Sequence, residues 1–292
     1  MDKRHLFSRA LLFVAMVLLL GVVQARANVF SDFNEKEQRQ YQNAIHFMDN
    51  GMVDTGIDML KDLDKAHPSN WVVVHEIVYG YIVKQDYEEA YQWAKKLLKL
   101  KDADADSYFI AGNAFDYVGK RKEAIEIYEK GLKKFPNSAR LWVEKGNMAY
   151  MMKNYDESVG CYEHAIDVDP NYDASYYRLA NLYAMSTDPV WAVMYAQNYQ
   201  LHASKYERLM EMGKLIYDLY RENVTRKDGK WEVTFTKTVN LSAYASQDCD
   251  IPYNGYFYHL HKVVLDEGGF AGDTLTLADV ARLHRKYVEI AD

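Results

Sequence analysis

Apolar residues, small residues and prolines recur every 34 residues through the middle of this chain. Residues 111–138 (AGNAFDYVGKRKEAIEIYEKGLKKFPNS) and residues 145–172 (KGNMAYMMKNYDESVGCYEHAIDVDPNY) align at this offset without a gap. Extending the period in both directions gives five blocks, which are 37–70, 71–104, 105–138, 139–172 and 173–206. Because a fixed period of this length is typical of arrays of supersecondary units, the pattern predicts a stacked array.

Each block predicts two helices joined by a turn. Large residues recur at the fourth and eleventh positions, which lie two turns apart on one helix face. The fourth position holds Val74, Tyr108, Trp142 and Tyr176. Small residues at the eighth and twentieth positions let two helices approach closely. The second helix has a predicted inner face with Leu60, Tyr128 and Tyr162. A proline near the end of a block cannot continue that helix and stops it. One such hairpin cannot bury its apolar face alone, so neighbouring blocks must complete the core.

This combination of length, small residues, aromatic residues and proline resembles the tetratricopeptide repeat family over residues 37–206. The resemblance implies a mostly helical chain, a right-handed superhelix of about five helix hairpins. In this family the first helices of the hairpins line a concave groove, which commonly holds an extended peptide or a helix of another protein. The resemblance therefore implies protein–protein interaction, with a peptide segment or a partner subunit in the groove.

The resemblance also indicates which residues face the groove. The ninth position of the last three blocks holds Asn113, Asn147 and Asn181. Asparagine amides can donate to and accept from the backbone of an extended ligand at regular intervals. The alternative is that these amides belong to the scaffold and bond locally or to water. The other groove residues implied by the family pattern are His75, Tyr79, Phe109, Asp116, Tyr117, Arg140, Tyr150, Met151, Tyr177, Arg178 and Met185. Aromatic residues and arginine are the usual anchors at protein interfaces.

The pattern of apolar and polar residues changes after the array. Residues 207–222 predict one more amphipathic helix, which would cap the stack. Residues 223–292 predict a small α+β segment, a β-hairpin followed by two helices. The hairpin pairs Asn223 to Arg226 with the strand after the Asp228-Gly229 turn. The two helices run from Pro252 to Glu267 and from Thr276 to Ile290.

The N-terminus has the three parts of a secretory signal peptide. A basic start precedes an apolar run from Ala10 to Val23, and Ala25-Arg26-Ala27 is a small-residue cleavage pattern. We therefore expect residues 1–27 to be removed and the protein to reach the periplasm. The alternative is an uncleaved N-terminal membrane anchor. Cleavage would remove four basic residues and one acidic residue, so the net charge would fall from −7 to −10. This acidic balance disfavours nucleic acid as the main partner.

Candidate chemistry is sparse. The sequence contains no nucleophile signature and no glycine-rich phosphate loop, so we expect no enzymatic activity and no cofactor. The mature chain has two cysteines, Cys161 and Cys249, and the sequence leaves their pairing open. His259 and His261 form the one closely spaced histidine pair. On a strand they would share a face and could bind a metal, whereas on a helix they would not.

The sequence thus predicts an exported, non-enzymatic interaction scaffold whose partner is a protein or peptide, with no membrane span after signal cleavage. An alternative of another class places a small ligand-binding, metal-binding or enzymatic unit in residues 223–292, with the repeats as its docking arm. A third alternative is a homo-oligomer built by end-to-end stacking of the arrays.

Overall fold

The computed structural model describes residues 30, 32–203, 205–235, 265, 270 and 272–283. The predicted signal peptide, Cys249, His259, His261 and most of the two predicted C-terminal helices lie outside these residues. The chain divides into two compact units, one up to Pro136 and one from Asn137. The boundary therefore lies inside the repeat array, two residues before the end of the third block.

The first unit contains three helix hairpins. They are α1 (Glu35–Asp49) with α2 (Val53–Ala66), α3 (Trp71–Val83) with α4 (Tyr87–Leu97), and α5 (Ala105–Tyr117) with α6 (Arg121–Lys134). The helix α1 begins two residues before the first block because Asn34 caps it. The side chain of Asn34 accepts the backbone N–H groups of Lys36 and Glu37 at 2.9 and 3.0 Å, and its own N–H donates to the Glu37 carboxylate at 2.9 Å. The hydrogen bond from the backbone N–H of Asn34 lowers the pKa of Glu37 below its ordinary value. A hydrogen bond from His67 lowers this pKa further.

The second unit contains two more hairpins, a further helix and a β-hairpin. These elements are α7 (Ala139–Met151), α8 (Tyr155–Val168), α9 (Asp173–Ala184), α10 (Val190–His202), α11 (Tyr206–Asn223), β1 (Val224–Lys227) and β2 (Lys230–Val233). The strands are antiparallel, with Arg226 opposite Trp231. Residues 277–283 are helical. The prediction of five helix hairpins followed by a small α+β segment is confirmed.

The turn inside each of the first four hairpins has the same backbone geometry. Each of these turns contains one residue in the left-handed region, with φ between 62° and 81°. From the first hairpin to the fourth, these residues are Gly51, Gln85, Gly119 and Lys153. These residues are 34 positions apart, so the turn is part of the repeat. Glycine adopts this conformation without strain, whereas Gln85 and Lys153 do so at a cost. The fifth turn, Ser186 to Pro189, contains no residue in this region.

The packing inside the third and fourth hairpins matches glycine with tyrosine. A Cβ placed on Gly146 would lie 2.5 Å from Cε1 of Tyr162, and a Cβ on Gly112 would meet the Tyr128 ring in the same way. Both tyrosines are fully buried. Since real Cβ atoms do not come this close to a ring, only glycine fits these two positions. The fifth hairpin has alanine at both equivalent positions, Ala180 and Ala196, and both are buried.

The described part of residues 223–292 shares a core with the fifth hairpin. Val224, Trp231, Val233 and Phe235 are buried in one cluster with residues of α10 and α11 such as Tyr199, Met212 and Tyr220. The backbone N–H of Val190 donates to the carbonyl of Phe235 at 3.3 Å. Asn223 is the last residue of α11, and its side-chain amide donates to the carbonyl of Leu219 at 2.9 Å. The strand β1 therefore begins one residue later than predicted.

Candidate binding surface

The first helices of the hairpins pack side by side within each unit, and one side of each helix carries the predicted groove residues. On α7 these are Arg140, Asn147, Tyr150 and Met151, of which Arg140, Asn147 and Met151 are spaced so that they lie on one face. On α9 they include Arg178 and Asn181, and Met185 follows directly after the last residue of this helix. We call these two faces together the second-unit surface. The first-unit surface is the matching side of α3 and α5, which carries Tyr79, Val83, Phe109, Asn113 and Tyr117.

Large apolar side chains are exposed at one repeat position on both surfaces. The thirteenth position holds Val83, Tyr117, Met151 and Met185, and these side chains are 45%, 51%, 48% and 65% exposed. A single exposed apolar residue is ordinary, but recurrence at one position in four consecutive repeats is a pattern. Tyr79 and Tyr150 add exposed aromatic rings at 44% and 39%. These side chains offer apolar area to a partner without rearrangement of the core.

The asparagines at the ninth position do not behave alike. The hydroxyl of Tyr128 donates to Oδ1 of Asn113 at 2.6 Å, and the hydroxyl of Tyr162 donates to Oδ1 of Asn147 at 2.8 Å. These two amide oxygens therefore join the first helix to the second within one hairpin. These local contacts agree with the alternative that the asparagine amides belong to the scaffold.

Asn181 makes a different contact, because the fifth hairpin has Ala196 where the third and fourth have tyrosine. Its amide Nδ2 donates to the backbone carbonyl of Tyr177 at 2.8 Å, one turn earlier in its own helix. The amide Nδ2 of Asn147 donates to Oε2 of Glu144 at 3.0 Å, also within one helix. The row is therefore regular in sequence but not in hydrogen bonding.

The remaining predicted residues divide by exposure. Phe109 and Arg140 are half-buried, and Arg140 lies beside the hydroxyl of Tyr172. Arg178 is exposed. Tyr150 is in ring contact with Tyr155 at 5.7 Å between centroids.

Tyr177 is engaged by α11. Its hydroxyl donates to Oε1 of Glu211 at 2.9 Å, and the guanidinium of Arg208 lies 4.8 Å from its ring centroid. Burial, and then the Glu211 carboxylate, raise the pKa of Tyr177. Glu211 stands 34 residues after Tyr177, so α11 occupies the place of a sixth first helix and covers this end of the second-unit surface.

Three residues near these surfaces were not among the predicted groove residues. Val83 belongs to the thirteenth-position column, and comparing the blocks at that column alone would have identified it. Met152 and Tyr155 are exposed in and after the turn of the fourth hairpin, at 54% and 47%. No periodic signal marks either of them.

The charges on the two surfaces differ. Asp116 on α5 accepts a hydrogen bond from Nε of Arg121 at 3.0 Å, and Asp106 lies on the same helix. The second-unit surface carries Arg140 and Arg178 with one acid, Glu144.

Within the described ranges, no three His, Cys, Asp or Glu side chains are grouped to hold a metal ion. The same ranges contain no helix with the length and apolarity that a membrane crossing requires.

Comparisons with known proteins agree with this architecture. A tetratricopeptide repeat family model matches residues 105–137, and a second, described as a TPR repeat, matches residues 146–186. No curated protein matches the chain.

Similar solved structures share the fold at low sequence identity. TTC0263, a thermophilic TPR protein in Thermus thermophilus, is 14% identical, with a TM-score of 0.54 over 62% of this chain and 98% of that one. PilW, a type IV pilus biogenesis factor, is 15% identical, with a TM-score of 0.52 over 63% of this chain and 87% of that one. A tetratricopeptide repeat protein from Parabacteroides merdae is 14% identical, with a TM-score of 0.50 over 64% and 73% of the two chains. At these identities the likeness concerns the fold alone. The two matched segments, together with the hairpins that continue their period on either side, make this chain a tetratricopeptide repeat protein.

Proposed function

We propose that this protein is an exported, non-enzymatic scaffold that holds a peptide segment or a partner subunit on the first-helix surfaces of its repeats. The repeat family supports a role in protein interaction. The observation that carries the proposal is the exposed apolar residue at the thirteenth position of four consecutive repeats, Val83, Tyr117, Met151 and Met185. Two of them lie in each compact unit, so each unit offers an apolar contact of its own.

The physical basis is preorganisation. Each surface is built on helices whose inner faces are buried, so binding does not have to order the backbone and little conformational entropy is lost. Covering the exposed half of one large apolar side chain contributes about 1 kcal/mol, or about fivefold in a dissociation constant. Several such side chains, together with the exposed rings of Tyr79 and Tyr150, are sufficient for a moderate affinity.

Binding can be tested with a library of random peptides displayed against the purified protein. Peptides that are enriched are then measured by fluorescence anisotropy against the Met151→Glu, Met185→Glu double variant. Each substitution places a charge where an apolar contact is expected, so affinity should fall at least tenfold. The matched control is Leu201→Glu on α10, because Leu201 is 79% exposed but lies on a second helix. Circular dichroism confirms that all variants fold. Equal losses in the double variant and the control would contradict the proposal.

Export is the second part of the proposal and rests on the signal pattern of residues 1–27. N-terminal sequencing of the protein recovered from the envelope fraction of a bacterial cell tests it. Cleavage after Ala27 predicts that the mature chain begins at Asn28. Recovery of a chain that retains the apolar run in the membrane fraction would instead indicate the anchor.

A further inference from the structure

The two surfaces differ in the chemistry of the exposed thirteenth-position residue. On the first-unit surface the residues are Val83 and Tyr117, which contain no sulfur. On the second-unit surface both are methionine, Met151 and Met185. Methionine has a flexible thioether that adapts to varied partners, and it is also the apolar side chain that peroxides convert to a polar sulfoxide.

The methionines of the second unit differ in accessibility. Met151 and Met185 are 48% and 65% exposed. Met148, one turn before Met151 on the same helix, is 5% exposed, and Met212 in the core of the second unit is fully buried. An oxidant in water therefore reaches the thioethers of Met151 and Met185, as it reaches the exposed Met152 and Met210, while the thioethers of Met148 and Met212 are shielded. Oxidation can change the surface while the packing beneath it stays intact.

We propose that Met151 and Met185 form a peroxide-sensitive modification site that weakens binding on the second-unit surface when it is oxidised. This inference rests on the proposed binding function. In the reaction the O–O bond of the peroxide breaks and one oxygen forms a bond to the methionine sulfur. The sulfur is oxidised by two electrons, and the peroxide is reduced as its other oxygen leaves as water, or as an alcohol from an organic hydroperoxide.

The physical effect follows from the polarity of the product. A sulfoxide oxygen is a strong hydrogen-bond acceptor, and covering it with an apolar partner group removes water without replacing the hydrogen bond. Two sulfoxides at the centre of the apolar contact should reduce affinity at least fivefold. The first-unit surface has no thioether at the corresponding position, so its contacts should persist.

The test uses a peptide selected against the native protein, whose binding is measured before and after graded treatment with hydrogen peroxide. Peptide-resolved mass spectrometry follows the oxidation of each methionine. Met151 and Met185 should oxidise well before Met148 and Met212, and affinity should fall in step with them. Treatment with methionine sulfoxide reductases should restore binding. Oxidation of Met148 as early as Met151 would overturn the proposal.

The decisive variant is Met151→Leu, Met185→Leu, which keeps the apolar volume but removes both thioethers. Its affinity before treatment serves as its own baseline, and peroxide should change that affinity by less than twofold. The matched control is Met52→Leu, Met210→Leu, because Met52 and Met210 are 47% and 59% exposed but lie off the second-unit surface. This control should lose affinity as the native protein does. If the decisive variant loses affinity equally, the proposal is wrong.

The two proposals fail in different ways. If the glutamate double variant at Met151 and Met185 binds as well as native before any oxidant is added, the binding surface itself is wrongly assigned. If the glutamate variant loses binding but oxidised native protein does not, only the oxidation proposal is wrong. Selection of no peptide at all would count against both.

Discussion

The fourth and fifth hairpins both pack a first helix against a second helix, but the side chains between the two helices differ. In the fourth, Gly146 faces the ring of Tyr162, and the hydroxyl of that ring donates to Asn147. In the fifth, alanine replaces both the glycine and the tyrosine. Asn181, although it occupies the same position as Asn147, bonds to the backbone of its own helix. The same residue type at the same repeat position therefore has two structural roles.

This difference shows that the partner on the second helix determines what a first-helix residue does. A tyrosine requires glycine opposite its ring and supplies a hydroxyl that needs an acceptor. An alanine requires neither. The fourth hairpin is thus a coupled set of Gly146, Asn147 and Tyr162, while the fifth has no such coupling. Substitutions that separate the members of this set test the comparison.

The largest effect is expected for Gly146→Ala. The added methyl group would lie 2.5 Å from the Tyr162 ring and 3.2 Å from Cβ of Cys161, so the second helix must shift. We expect a loss of about 3 kcal/mol in the free energy of unfolding, measured by urea denaturation. The control is Gly160→Ala in the same hairpin, where an added Cβ has no neighbour within 4 Å. It should stabilise the protein by about 0.5–1 kcal/mol. Similar results for both variants would disprove the packing argument.

A smaller effect is expected for Asn147→Ala. This change leaves the buried hydroxyl of Tyr162 without its acceptor, so the free energy of unfolding should fall by about 1–2 kcal/mol. Asn181→Ala removes only a bond to its own helix and should cost less than about 0.5 kcal/mol. Thermal denaturation of the two variants side by side measures the difference. Equal costs would indicate that the two asparagines have the same role.

A substitution in the turn of the fourth hairpin should raise the free energy of unfolding, whereas Gly146→Ala and Asn147→Ala should lower it. Lys153 in the fourth turn has a φ of 62°, and glycine adopts this conformation without the steric cost. Lys153→Gly should therefore stabilise the protein by about 0.5–1 kcal/mol. Thr187→Gly in the fifth turn should give no gain, because Thr187 is not in the left-handed region. Chemical denaturation curves distinguish the two, and a gain in both would argue against the strain at Lys153.

The smallest effect concerns the reactivity of Cys161, whose counterpart in the fifth hairpin is Tyr195. The thiol is buried, and burial raises its pKa to about 11. Since the thiolate is the reactive form, alkylation by iodoacetamide near neutral pH should be slow in the native protein. Gly146→Ala, which presses on Cys161, should accelerate it several-fold, while Asn181→Ala should not. Peptide-resolved mass spectrometry separates this site from Cys249. Unchanged labelling in Gly146→Ala would show that the fourth hairpin tolerates the extra methyl group.

Much of the fold could be predicted from the 34-residue period, because packing of one hairpin on the next constrains the same positions repeatedly. The prolines after α2, α6 and α8 and the Asp228-Gly229 turn gave the ends of elements for local chemical reasons. The division into two compact units could not be predicted, because the period continues across residues 136 and 137 without interruption. The shared core of the β-hairpin and the fifth repeat depends on contacts between residues that are far apart in sequence.

The candidate surface was less accessible to sequence reasoning. The row of Asn113, Asn147 and Asn181 suggested three equivalent groove amides. Their different hydrogen bonds depend on Tyr128, Tyr162 and Ala196, fifteen residues further along the chain. The sequence does show that this second-helix position holds tyrosine in the third and fourth hairpins and alanine in the fifth. Only the side-chain geometry shows that a tyrosine hydroxyl reaches the asparagine amide. Exposure at the thirteenth position likewise depends on how the helices pack.

Site-specific photo-crosslinking in cells that produce the protein tests the central claim most directly. A photoreactive residue replaces either Met185 on the second-unit surface or Leu201 on the second helix of the same hairpin. Both side chains are well exposed, at 65% and 79%, so access to the probe is comparable. The proposed scaffold predicts a discrete adduct of higher mass from position 185 and none from position 201. Adducts of equal yield at both positions, or only at 201, would contradict binding through the first helices of the repeats.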